Sequence, residues 1–202
     1  MPKASELLQP AKSVWLWQAY DPAVRSDLFS TAVKTSAGLF LIDPIPLAAG
    51  QLKELAAMGS VAGIFITNLN HCRAAADFAR RFEVTIFAAE SVSREFQREN
   101  IGTNSDCDSL GRGITAIAIE GAATGETVFH FVDDGGTMVV GDALINFEPY
   151  GFTFLPAKYC SDQKQMRRSL ARLLDWPFQR LFFAHGTPIL HSARQQLETL
   201  LA

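Results

Sequence analysis

Cysteine is scarce and dispersed. Only Cys72, Cys107 and Cys160 occur, far apart and without a C-x-x-C pair. An odd count without paired spacing argues against a disulfide framework and for reduced thiols in a cytoplasmic setting. An excess of one charge is also missing. The 18 Lys and Arg against 21 Asp and Glu leave a net charge of −3, which gives no basic surface for a dedicated nucleic-acid binder. No apolar run approaches the ~18 residues of a membrane span. The first ten residues hold a Lys and two Leu but no signal-peptide h-region. Low-complexity tracts and internal repeats are absent. The expectation is a cytoplasmic protein that engages neither nucleic acid nor membrane.

What is present suffices for a core. The chain has 202 residues, 48% of them hydrophobic with 15 Phe, and its 19% charged content is too low for disorder. One domain over residues 1–202 is the expectation. Ser13 to Tyr20, Asp27 to Thr35 and Leu39 to Ile42 read as strands of an antiparallel meander. A helix is expected from Pro46 to Gly59, with Leu52, Leu55 and Ala56 on its apolar face. Ile64 to Ile66 and Val84 to Phe87 read as strands. Ala75, Phe78, Ala79 and Phe82 fall on one helical face, and a short helix is expected around Ser91 to Arg98. Strands return at 114–119, 127–132 and 137–140, with Asp133 to Gly136 as a hairpin turn. Asn146 to Tyr159, rich in aromatics, reads as an ordered loop. A helix through Met166 and Leu174, a strand at 181–184 and a last helix with the capping box Ser192/Gln195 complete the chain. This order fits mixed sheets with outer helices. It leaves open whether there are two facing sheets or one.

Four apolar runs end abruptly on polar residues: Ile42 on Asp43, Thr67 on Asn68, Gly141 on Asp142 and Ala184 on His185. If the strands are neighbours, these ends share one rim, where ligands of such sheets gather.

Five stretches in order resemble the metallo-beta-lactamase fold superfamily: Leu41 to Pro44, Ile66 to Arg73, Gly121 to Gly125, Val140 to Asp142 and Ala184 to Pro188. The resemblance implies an α+β fold, the αββα four-layer sandwich of two mixed sheets covered by helices. It also implies a metal-dependent hydrolase. The family's His-x-His-x-Asp-His motif falls on Asn68, Asn70, Cys72 and Arg73, and its next histidine falls on Ala122. Only Asp142 and His185 keep their identity. His71 stands one position off the ligand register, where its side chain is expected to point elsewhere.

The resemblance therefore implies an altered centre. The first metal position should be empty. The second is left with Cys72, Asp142 and His185 as ligands for a single divalent ion, zinc being the expected one. Asp142 and His185 would then carry catalysis on a small ester, thioester or amide. The alternative is a non-catalytic descendant, binding a ligand or partner, in which Arg73 replaces the metal's charge through an ion pair with Asp142. Asn68, Asn70, His71, Arg73, Tyr150 and Lys158 are the candidate ligand-binding residues. The aromatics of the 146–159 loop would form core, an apolar wall for a small ligand, or a homodimer contact. Cys107, between two aspartates, reads as a poor nucleophile, and Cys160, near Lys158, as structural. His130 reads as a packed residue and His191 as surface.

Overall fold

The computed structural model describes residues 1–96, 101–106, 108–111 and 113–202. The readings on Cys107 and on Arg98 lie outside these residues.

Seven strands form the first sheet, in the order β1 (Leu8–Ala11), β2 (Val14–Asp21), β3 (Ser26–Thr35), β4 (Gly38–Ile42), β5 (Val61–Phe65), β6 (Ile86–Ala89) and β7 (Ile101–Asn104). Pairing is antiparallel from β1 to β4 and parallel from β4 to β7. The switch to parallel pairing follows from the connections, since α1 (Ala49–Ala57), α2 (Ala75–Phe82) and α3 (Glu90–Phe96) alternate with the later strands. The second sheet runs β14 (Arg180–Phe183), β11 (Thr137–Val140), β10 (Thr127–Phe131), β9 (Ile114–Ala118) and β8 (Asp108–Gly111). In it, β11 and β14 are parallel and the remaining pairs antiparallel. Helices α4 (Gln163–Ala171) and α5 (Ala193–Leu201) accompany it.

Period-two packing explains why the strands read as nearly continuous apolar runs. Val14, Leu16, Phe40 and Ile42 face the opposite sheet, together with Phe129, Phe131 and Phe182. Their neighbours Trp15, Trp17, Leu39 and Leu41 face α1 and α2 on the other side. Leu181 and Phe183 likewise pack against α4 and α5. Both faces of each sheet are covered, so apolar and polar residues need not alternate. Phe65 sits at the middle of the inter-sheet layer, stacked on Phe129 at 4.4 Å and on Phe40 at 5.1 Å between ring centroids. The architecture is the four-layer αββα sandwich, with two facing sheets.

Several local expectations need correction. Pro46 does not open α1. Its carbonyl accepts Ala4 N–H at 2.9 Å, and a bridge between Ala4 and Leu47 delays the helix to Ala49. Ser192 lies at φ +53° and forms no side-chain cap, so the Ser192/Gln195 box is not made. The 146–159 segment is not a loop at its start. Leu144–Phe147 (β12) and Gly151–Phe154 (β13) form an antiparallel hairpin. Its aromatics divide: Phe152 packs on Phe183, Phe154 lies under Arg167, and Phe147 meets the exposed Tyr150 edge-on. Strands β1, β7 and β8 carry no clear apolar pattern, and the sequence does not announce them. Among the described residues, no helix is long and apolar enough to cross a membrane.

Candidate metal centre

The C-terminal ends of β4 and β5 in one sheet meet those of β11 and β14 in the other, and the residues that follow these strands converge. A short 3-10 turn over Leu69–His71 follows β5. Asn68 caps it: its Oδ1 accepts the N–H of Asn70 at 2.9 Å. This turn swings His71 inward. Its ring is 2% exposed and stands between two carboxylates. Nδ1 lies 3.1 Å from Asp43 Oδ2 and 2.8 Å from Thr67 Oγ1, while Nε2 lies 3.3 Å from Asp142 Oδ1. The Thr67 hydroxyl donates to Asp43 at 2.5 Å, so Nδ1 of His71 must carry a proton to satisfy both neighbours.

His185 approaches the same oxygen from β14, its Nε2 3.5 Å from Asp142 Oδ1. Its Nδ1 donates to the Asp27 carbonyl at 3.1 Å, with Ser26 Oγ at 3.3 Å. That bond fixes the tautomer and leaves the Nε2 lone pair facing Asp142. The following Gly186, at φ +110°, lets the Asn146 backbone lie against it: a Cβ there would sit 2.1 Å from the Asn146 carbonyl oxygen.

The charges follow from these contacts. Burial pushes His71 down, but Asp142 and Asp43 outweigh it and raise its pKa to about 9. Burial pushes the Asp142 carboxyl up, yet His71 beside it holds it well below the usual carboxylate range. Burial and the His71 charge lower His185 to about 4. Beneath Asp142 lies Glu126, 2% exposed. It accepts the N–H groups of Asp142 at 2.8 Å and Ala143 at 3.1 Å on Oε1, and Asn68 Nδ2 at 2.7 Å on Oε2. Burial and the Asp142 charge nonetheless raise it to about 8.

Two expectations about the site change. His71, and not Cys72, joins Asp142 and His185: the ligand atoms of these three lie within 4.8 Å of one another. Cys72 turns back on its own turn, its thiol 3.4 Å from the Leu69 carbonyl, and burial pushes it up to about 11. The one-residue offset of His71 from the ligand register is absorbed by the tight turn. The second change concerns Arg73. Among the described residues no ion pair joins it to Asp142. Its guanidinium donates to the carbonyls of Phe29 at 2.5 Å, Asp43 at 3.1 Å and Ala184 at 3.5 Å. Burial lowers its pKa, opposed by Asp43 and Asp142. The cation that touches Asp142 is His71.

Of the other candidates, Asn68 donates to Asp142 Oδ2 at 3.1 Å, and Asn70 stands close enough to help lower the Asp142 carboxyl. Lys158 is exposed, its ammonium 4.6 Å from the Tyr159 ring, and lines a hollow of about 330 Å³ with Asn70 and Thr124. Tyr150, 66% exposed, stands outside the cluster. A larger cleft of about 610 Å³ reaches the His185 side of the cluster, lined by Tyr20, Arg25, Ser26, Asp27, Asn146 and Phe147 among others. Sequence reasoning missed Glu126 and the parts of Asp43 and Thr67. The signal available for Glu126 was a lone acid opening the apolar strand Thr127 to Phe131. His130 is packed as expected, 2.8 Å from the Pro177 carbonyl and against Trp176. His191 is exposed.

The donor set fits a metal ion. Two imidazole nitrogens and one carboxylate oxygen suit zinc and similar divalent ions, and three protein ligands leave the fourth tetrahedral position for water. Tetrahedral bonds of ~2.0–2.1 Å put neighbouring donors about 3.3–3.4 Å apart, close to the 3.3 and 3.5 Å found around Asp142 Oδ1. Each imidazole also donates its other N–H to a protein oxygen, as metal-ligating histidines do.

The fold has solved counterparts. A metallo-beta-lactamase from Pontibacter korlensis matches with a TM-score of 0.72 at 15% identity, covering 97% of this chain and 98% of that one. The metallo-beta-lactamase family protein TTHA1429 of Thermus thermophilus matches at 0.69 and 19%, covering 96% and 79%. TTHA1623, solved in a di-iron-bound form, matches at 0.63 and 19%, covering 90% and 96%. At these identities the likeness is one of fold. No curated protein matches the chain. The model of the metallo-beta-lactamase superfamily, however, matches residues 7–202, nearly the entire length. The chain belongs to the metallo-beta-lactamase superfamily.

Proposed function

We propose that the protein is a metal-dependent hydrolase whose centre holds one divalent ion through His71, Asp142 and His185. The observation that carries this reading is the donor triangle. Two imidazoles turn their Nε2 atoms to one carboxylate oxygen, at 3.3 and 3.5 Å, while their Nδ1 atoms are committed elsewhere. A divalent ion bound there supplies a water that ionises near neutral pH and a Lewis acid for a carbonyl oxygen. Zinc suits the donor set best.

The chain's own residues prepare this site. Asp43 and Thr67 hold the His71 ring and its Nδ1 proton. The Asp27 carbonyl holds His185 as the Nδ1–H tautomer. The cleft beside His185 is open to a small molecule, so a small ester, thioester or amide is the substrate class we assign. Its apolar part would lie along Phe147 and Tyr20.

A second reading has one observation in its favour. Without an ion, the His71 imidazolium neutralises Asp142, its pKa standing at about 9. The site is then a buried ion network, and the protein a non-catalytic binding descendant.

Metal analysis separates the two. Protein purified without chelator should carry about one equivalent of divalent metal, absent from Asp142→Ala and His185→Ala. Wild-type protein free of metal after purification, and still free after exposure to zinc, would overturn the hydrolase reading in favour of the second.

A further inference from the structure

The cleft beside His185 holds a cation that the fold does not use. Gln18 and Tyr20 of β2 stand opposite Phe29 and Asp27 of β3, so the four share one face of the ribbon, and all line the cleft. The turn that joins these strands is fixed by Asp21, whose Oδ1 accepts the Ala23 N–H at 2.9 Å. Its last residue, Arg25, lines the cleft as well. Arg25 sits at φ +54°, a left-handed conformation that glycine adopts freely and that costs other residues free energy. Its side chain does not offset this strain. Arg25 is exposed, and among the described residues no hydrogen bond or ion pair engages its guanidinium. Asp27 and Glu148 line the same cleft, yet neither is paired with it.

We propose that Arg25 determines specificity by receiving a carboxylate of the substrate. The inference rests on the hydrolase reading above and narrows its substrate class to small esters, thioesters or amides that carry a free carboxylate. A guanidinium presents N–H donors in a planar fork, which a carboxylate matches with two parallel bonds. Arg25 stands two residues before Asp27, whose carbonyl accepts the His185 Nδ1–H at 3.1 Å. Two residues span at most ~7 Å of backbone, so a carboxylate at Arg25 and an acyl group at His185 fit within one small molecule. Gln18, exposed in the same cleft, adds an amide N–H beside the fork. Charge then selects a carboxylate over a phosphate. The acids Asp27 and Glu148 in the cleft repel a second negative charge, so a singly charged group is favoured over a dianion.

The test is a chemical-shift titration of isotope-labelled protein with monomethyl succinate, dimethyl succinate and methyl phosphonopropanoate. Each probe is run on protein as purified and again after chelator treatment, so that a bound ion does not decide the outcome. The variants are Arg25→Gln, Arg25→Lys and Arg25→Gly. Wild type should bind monomethyl succinate about fivefold more tightly than the neutral diester, or better, with the largest shifts around Arg25 and Gln18. Arg25→Gln and Arg25→Gly should lose that preference, and Arg25→Lys should keep part of it. Arg25→Gly should also unfold at the same temperature as wild type or higher, because the left-handed turn suits glycine. Equal binding of the two succinates by wild type, or a preference that survives in Arg25→Gln, would overturn the inference and leave the metal reading standing. A lower unfolding temperature in Arg25→Gly would overturn it too, by giving the side chain a structural part. Tighter binding of the phosphonate than of monomethyl succinate would overturn the choice of a carboxylate. Failure of the metal reading shows separately, as protein that takes up no zinc.

Discussion

Nε2 of His71 lies 3.3 Å from Asp142 Oδ1, inside a site where that histidine is almost wholly buried. Its other nitrogen lies 3.1 Å from Asp43. The ring therefore joins the end of β4 to the end of β11, one from each sheet. In metal-free protein, removing it leaves two buried carboxylates without their shared cation. Breaking a buried pair in this way costs about 3–5 kcal/mol. His71→Gln should lower stability by that order in urea unfolding with chelator present. A change under ~1 kcal/mol would mean that the contact behaves like an exposed ion pair.

The same contact sets a pH dependence. The folded pKa of His71 is about 9, above its ordinary 6.5. The folded state thus holds the proton more tightly than the unfolded chain. Its contribution is complete below pH 6.5 and is lost as pH rises through about 9. That gap corresponds to ~3 kcal/mol. Glu126, raised from 4.5 to about 8, acts in the same direction above 6.5, whereas His185, lowered to about 4, gains stability only up to 6.5. Chelator-treated protein should therefore lose stability steadily between pH 6.5 and 9. Denaturation midpoints that are flat or rising over that window would contradict the His71 bridge.

Much of this is legible in the residues, and the failures are physical. The strand ends at Asp43, Asn68, Asp142 and His185 stand out because apolar runs stop there, and they do meet. The two-sheet arrangement accounts for buried strands that do not alternate. What fails is side-chain direction. His71 reads as misplaced when positions are counted along the motif, but the 3-10 turn over Leu69–His71 sets its ring between Asp43 and Asp142. Charge alone matches Arg73 to Asp142. Nothing in the sequence says that Phe29, Asp43 and Ala184 will offer it three carbonyls, because those come from separate strands brought together by the fold. The 144–154 hairpin is hidden by its aromatics and by Pro149.

Arg73 consequently serves as a tie between the sheets. Its carbonyl partners belong to β3, to the residue after β4 and to the residue after β14. A lysine keeps the charge but loses the planar fork that reaches several acceptors at once. Arg73→Lys should cost about 2–3 kcal/mol, near the scale of hydrogen bonds from a charged donor. It should leave metal stoichiometry unchanged, since among the described residues no hydrogen bond or ion pair links Arg73 to the three donors. Loss of stoichiometric metal in a folded Arg73→Lys protein would give Arg73 a direct part in the centre.

Gly186 sets the position of His185 by what it lacks. Its φ of +110° is one that L side chains rarely adopt, and a Cβ would lie 2.1 Å from the Asn146 carbonyl oxygen and 2.4 Å from its carbon. Backbone meets backbone there, so no flexible side chain can move away. The His185 carbonyl also accepts the Asn146 N–H at 3.3 Å, and Thr187 N–H donates to the Asn146 carbonyl at 2.9 Å. Relief of the clash must therefore shift the turn that carries the histidine. Strained backbone of this kind costs ~1–3 kcal/mol before the clash is counted. Gly186→Ala should destabilise the protein by at least ~2 kcal/mol and weaken metal binding, whereas Gly50→Ala, at a helix position with open space around it, should do neither. Thermal unfolding and zinc dialysis on the two variants check this. Equal behaviour of the two would mean that the β12 strand yields freely and does not hold the His185 turn in place.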